Sequence, residues 1–138
     1  MAFEVAVSRA QGRVPVTILH LHGDLDASNY QDLIAAGKKT CDAGARDLLL
    51  DLSDVPYMSS SGLVALQSLA ALLRGDALPD SDVGWDGIRA IHRDRDTGLQ
   101  PHFKLLKPQP RVDRMLDTVG FKRYLAVFTD LESAVASF

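Results

Sequence analysis

The run RDLLLDLS, Arg46–Ser53, constrains this chain more than any other stretch. Leu48, Leu49 and Leu50 are consecutive, so a strand through them puts apolar side chains on both faces. Such a strand needs cover on both sides, as in the centre of a mainly parallel sheet. Parallel strands in turn need crossover connections, and segments of helical period flank the run. Upstream, DASNYQDLIAAGKKTCDAGA places Tyr30, Leu33, Ile34, Gly37 and Cys41 on one stripe. Ser28 stands where an N-cap belongs, Gln31 completes a capping box, and Gly44 marks the stop. Downstream, a helix is expected from after Met58 to about Arg74, with Leu63, Leu66, Ala70 and Leu73 on its apolar face.

The rest of the chain extends this alternation. FEVAVS alternates, with Phe3, Val5 and Val7 on one side. After a turn at Gln11-Gly12, VPVTILHLHG reads as a second strand, antiparallel to the first. Val16, Ile18 and His20 face one way, and Thr17, Leu19 and Leu21 the other. FKLLK and YLAVF read as later strands. Between them Pro110 opens a helix with Val112, Met115, Leu116 and Val119 inward and Gly120 as its end. Thr129 and Glu132 suggest a capping box before LESAVASF. Residues 75–102, rich in Gly, Asp and Pro, break the pattern and read as a loop insertion, with a short helical turn near Ile88–Ile91. The expected fold is a single α/β domain over 1–138, order ββαβα(insert)βαβα, with a mixed, mostly parallel sheet and about four helices.

Composition narrows the function. A formal net charge of −3 gives no basic field to attract nucleic acid, so no direct nucleic-acid partner is expected. No apolar run reaches the ~20 residues of a membrane span. The first residues, MAFEVAVSRAQGR, do not resemble a secretory leader. One cysteine, Cys41, excludes an internal disulfide, and its place on the helical stripe suits a small buried hydrophobe. These features together favour a cytoplasmic protein with no membrane partner.

Few residues carry enzyme chemistry. The serines of YMSSSGLVAL lack the flanking glycines of a nucleophile elbow. His20 and His22 share a strand face and could chelate a metal, but a catalytic site wants three protein ligands and no third lies nearby in sequence. DSDVGWDG, counted from Asp80, fails the calcium-loop spacing, and HRDRD lacks the other kinase motifs. Trp85, in the insertion, either folds back to pin it or offers a contact anchor. No metal, cofactor or enzymatic activity is expected.

Two segments remain, GDLDAS and SSSGL. Each follows a strand and precedes a helix, at the strand carboxyl edge where α/β folds bind ligands and partners. They should lie near one another, with Asp24 or Asp26 beside a serine-rich helix start. Either they only cap helices, or they form a shared site.

These residues and their order resemble the STAS domain family, the (SpoIIAA-like) fold of bacterial anti-sigma factor antagonists. LHGDLDAS and LLLDLSDVPYMSSSGLVAL carry the resemblance, which covers the chain outside 75–102. It implies a regulatory protein–protein interaction module, not an enzyme. The family's D-S-S-G motif maps its phosphoacceptor onto Ser61, with Ser60 before it and Ser59 in place of the usual aspartate. Ser59 and Ser60 are neighbouring candidate acceptors. Asp24, Asp26, Ser28, Ser59, Ser60, Gly62 and Leu63 map onto the partner-binding surface. The implied partner is an anti-sigma factor or related serine kinase, and a homodimer is compatible. The alternative is a constitutive STAS module in a signalling scaffold or transporter-associated complex. Serine at 59 removes a carboxylate that the family's motif carries and retains the ability to cap the helix.

Overall fold

The computed structural model describes residues 3–74 and 99–138. Among these residues five strands run in sequence order across one sheet: β1 (Glu4–Gln11), β2 (Pro15–His22), β3 (Leu48–Asp54), β4 (Phe103–Leu106) and β5 (Val127–Phe128). β1 pairs antiparallel with β2, and β2 through β5 pair in parallel. The leucine-rich strand is therefore central, as its two-sided apolar pattern requires. Leu48, Leu50 and Leu52 enter the large core while Leu49 joins a smaller cluster on the opposite face.

Among the described residues four α-helices pack on this sheet: α1 (Tyr30–Asp42), α2 (Ser60–Arg74), α3 (Pro110–Thr118) and α4 (Leu131–Ala136). The first three cover one face. Leu33 of α1, Leu63, Leu66 and Leu69 of α2, and Val112 and Leu116 of α3 pack on Leu19, Leu21, Leu50 and Leu105 of the strands. On the other face Ala134 and Val135 of α4 meet Val16, Ile18, Leu49 and Leu106. Lys104 fastens α4 there: its Nζ donates to the Ser137 carbonyl at 2.8 Å and to Ser137 Oγ at 3.0 Å. That ammonium also lies 4.7 Å from the centroid of the Phe138 ring.

The α1–α2 contact explains Gly37. A Cβ at that position would collide with Leu69 Cδ2, so glycine lets the two helices meet here without turning that leucine aside. Gly44 (φ 109°) and Gly120 (φ 82°) follow α1 and α3 in left-handed conformations, as helix-ending glycines do.

Several local expectations shift. Ser28 does not cap α1: Asn29 occupies the N-cap position, and the Ser28 hydroxyl donates instead to Asp26. The cap of α4 is Asp130, whose carboxylate accepts the Ser133 N–H at 2.8 Å, not Thr129 with Glu132. Asp outcompetes Thr because the chain enters the helix one residue later. The last strand is only Val127–Phe128, since Phe121–Arg123 form a 3-10 turn whose Phe121 carbonyl accepts from both Tyr124 and Leu125. Val7, expected to face inward with Phe3 and Val5, is exposed on the edge strand β1.

Of the expected insertion, residues 75–98 lie outside the described residues, and with them Trp85, His92, the helical turn at Ile88–Ile91, the Asp80 loop and the HRDRD run. The chain is described again from Leu99. Gln100 is buried, its N–H donating to the Tyr124 carbonyl and its side-chain oxygen accepting from Arg74. These bonds hold the end of α2 beside the approach to β4.

Candidate functional site

The two singled-out segments meet at the carboxyl edge of the sheet. Beyond β2, Leu25 bridges Met58 in parallel fashion. The Leu25 N–H donates to the Tyr57 carbonyl at 3.0 Å, and the Ser59 N–H donates to the Leu25 carbonyl at 2.9 Å. One step earlier the Gly23 N–H donates to Asp54 at 3.0 Å. The GDLDAS loop and the start of α2 are thus stitched together by main-chain bonds, which fix their relative position better than side-chain contacts would.

Leu25 and Met58 are buried beneath this seam, and Gly62 rests on them. A Cβ at Gly62 would collide with Met58 Cγ and stand 3.1 Å from two Leu25 side-chain carbons. The glycine of SSSG therefore lets the first turn of α2 sit down on the seam. That places Ser60, exposed, and Ser61, partly exposed, in the first turn of a 15-residue helix. The Gly62 and Leu63 N–H groups return to the Ser59 carbonyl at 3.0 and 3.4 Å. Ser60 and Ser61 stand at the positive end of the helix dipole, where an anionic group is stabilised.

Ser59 behaves differently from its expected role. Its main chain caps the helix, but its Oγ is buried without a hydrogen-bond partner among the described residues. No acidic residue stands in the first turn of α2. Leu63 is buried against the core, so its side chain supports the site from beneath.

The acidic loop is ordered by its own side chains. Asp26 Oδ1 accepts the Ser28 N–H at 2.9 Å and the Ser28 hydroxyl at 2.5 Å. The Ser28 hydroxyl, then its N–H, hold the Asp26 carboxyl below the usual carboxylate range. Asn29 was not among the expected site residues, yet it closes the loop. Its Oδ1 accepts the Asp26 N–H at 2.9 Å and its Nδ2 donates to the Asp24 carbonyl at 2.8 Å. The signal in sequence is the D-x-x-N spacing after a strand, typical of side-chain-closed turns. Asp24 is exposed, and Asp24, Asp26 and Asp32 stand in the walls of an open depression of about 520 Å³. Tyr57, 43% exposed, adds an aromatic ring to the same edge.

The three described histidines are occupied. His20 Nδ1 lies 2.8 Å from Asp51, His22 Nδ1 2.8 Å from Asp54, and His102 Nδ1 2.7 Å from Asp47. Among the described residues no three His, Cys, Asp or Glu side chains gather in a metal-holding group. Burial pushes the Cys41 thiol up, away from reactivity. No helix among the described residues is long and apolar enough to cross a membrane.

The comparisons with known proteins agree with this geometry. The chain resembles an anti-sigma factor antagonist from Mycobacterium paratuberculosis (18% identity, TM-score 0.68, covering 99% of this chain and 93% of that one). It resembles the anti-sigma factor antagonist SpoIIAA in its unphosphorylated form (17%, TM-score 0.63, 97% and 93%). The phosphorylated form of SpoIIAA, a Bacillus cell fate determinant, is also similar (16%, TM-score 0.51, 96% of each). At these identities the likeness establishes a shared fold. No curated protein sequence matches the chain. The STAS domain model matches residues 7–76, just over half of the 138, including both segments of the carboxyl-edge seam. The chain belongs to the STAS domain family.

Proposed function

We propose that this protein is a cytoplasmic switch module of the anti-sigma factor antagonist type. It binds an anti-sigma factor or related serine kinase through the carboxyl-edge seam and releases it when Ser61 is phosphorylated. The observation that carries this reading is the placement of Ser61, partly exposed in the first turn of α2 and stitched through Leu25 to the Asp24–Asp26 loop. A phosphoryl group adds about −1.5 to −2 charges, which the helix N-terminus tolerates and an interface fitted to a neutral hydroxyl does not. Asp24, Asp26, Ser28, Ser59, Ser60 and Gly62 form the surrounding surface, and the carboxylates favour a basic patch on the partner. The work done at Ser61 is binding and release, not turnover of a substrate at that serine.

A second reading, a constitutive module, is favoured by one observation. Ser59 replaces the family's acid, and its hydroxyl is buried and unpaired. The experiment is partner capture from the native cell, with phosphosite mapping and the variants Ser61→Ala and Ser61→Asp. The switch predicts retention of the partner by the first and loss by the second. Equal binding by both supports the constitutive module.

A further inference from the structure

Away from the seam, on the sheet face that α4 only partly covers, three side chains from three adjacent strands form a continuous chain. Ser8 Oγ of β1 lies 2.7 Å from His20 Nε2 of β2. His20 Nδ1 lies 2.8 Å from Asp51 Oδ2 of β3. Asp51 Oδ1 in turn accepts the Ser53 N–H at 3.0 Å. Burial raises the Asp51 carboxyl, but the Ser53 N–H and the His20 imidazole outweigh it and hold it below the ordinary carboxylate value. An ionised carboxylate only accepts, so Nδ1 carries the imidazole proton. Nε2 is then an acceptor, and the Ser8 hydroxyl donates to it. Nucleophile, base and orienting acid stand in the order and at the distances that activate a serine.

We infer that Ser8 is an activated nucleophile that takes an acyl group from small carboxylic esters, with His20 as its base and Asp51 positioning the imidazole. Ser8 Oγ attacks the ester carbonyl and its proton passes to His20 Nε2. The carbonyl–alkoxy bond breaks and the departing alkoxide takes that proton as the alcohol. Water then attacks the acyl group, giving its proton to Nε2. Ser8 leaves with that proton and the carboxylic acid is released. The net change is ester plus water to acid plus alcohol. Ser8 is exposed on an edge strand, so water solvates the developing oxyanion and turnover is slow.

Among the described residues, the ionisable groups near His20 are Asp51, the mutually paired His22 and Asp54, and Glu4, opposite His22 in register. Lys104, further across the sheet, is engaged with Ser137.

The test uses the whole protein, p-nitrophenyl acetate and a fluorophosphonate probe, with mass mapping of the adduct. The expected result is modification at Ser8, faster than at any other serine, with a rate that rises as His20 loses its proton. His20→Gln lowers that rate by ~100-fold. Asp51→Asn lowers it and moves the pH midpoint down, a change that a purely structural role does not produce. Labelling of Ser8 at the rate of other exposed serines, a flat pH profile in the wild type, or an unaltered rate in folded His20→Gln would overturn the inference.

Discussion

The two faces of the sheet are built on opposite economies. One carries three helices and a continuous apolar core from Leu19 to Leu125. The other, among the described residues, carries one six-residue helix, a small cluster and a row of polar side chains. Both use the same strands, so alternation along β2 and β3 decides which residues serve stability and which remain available. The lesson is that the closed face fixes the seam that presents Ser61, while the open face leaves room for polar contacts that a full core would exclude.

Neighbouring leucines on β3 test this contrast most strongly. Leu50→Ala opens a cavity among three helices and should cost about 4 kcal/mol, near the upper end for such truncations. Leu49→Ala, under α4, should cost about 2–3 kcal/mol, because a short helix can settle into the gap. Urea denaturation compares them, and an equal or reversed order breaks the contrast.

Gly62→Ala is the next largest. Its methyl group forces Met58 and Leu25 aside, and the expected loss is about 1–3 kcal/mol despite the better helix propensity of alanine. Hydrogen exchange should show the loosening concentrated in the first turn of α2. On the open face, Lys104→Met should cost about 1 kcal/mol, since burial opposes the charge that Ser137 and the aromatic rings stabilise. Exchange protection should fall in α4 and remain in α1 to α3.

The smallest effect is a pH dependence. The folded Asp51 carboxyl lies below its unfolded value of ~3.9, so its contribution is present above that pH and lost as pH falls through the folded value. Acid titration of stability should therefore be shallower in Asp51→Asn. An unchanged acid limb would detach Asp51 from the polar row.

Much of this was legible because period and physics coincide. The Leu48–Leu50 run predicts a two-sided strand, and Leu33, Leu63 and Val112 fall on helical stripes that the core requires. The seam was legible too, since strand ends in such a sheet share one edge. What sequence missed are choices between chemically similar neighbours. Asn29 instead of Ser28, and Asp130 instead of Thr129, take the caps according to where the chain turns. The row Ser8, His20 and Asp51 is separated by 12 and 31 residues and exists only through strand register. Ser59 retained its place as a cap, but through its main chain rather than its hydroxyl.

The central claim is that Ser61 turns partner binding off when it gains charge. The direct measurement is the affinity of the captured partner for the unmodified protein and for the protein phosphorylated at Ser61. A loss of at least ~10-fold on phosphorylation, about 1.4 kcal/mol, is predicted. Equal affinities for the two forms would contradict it.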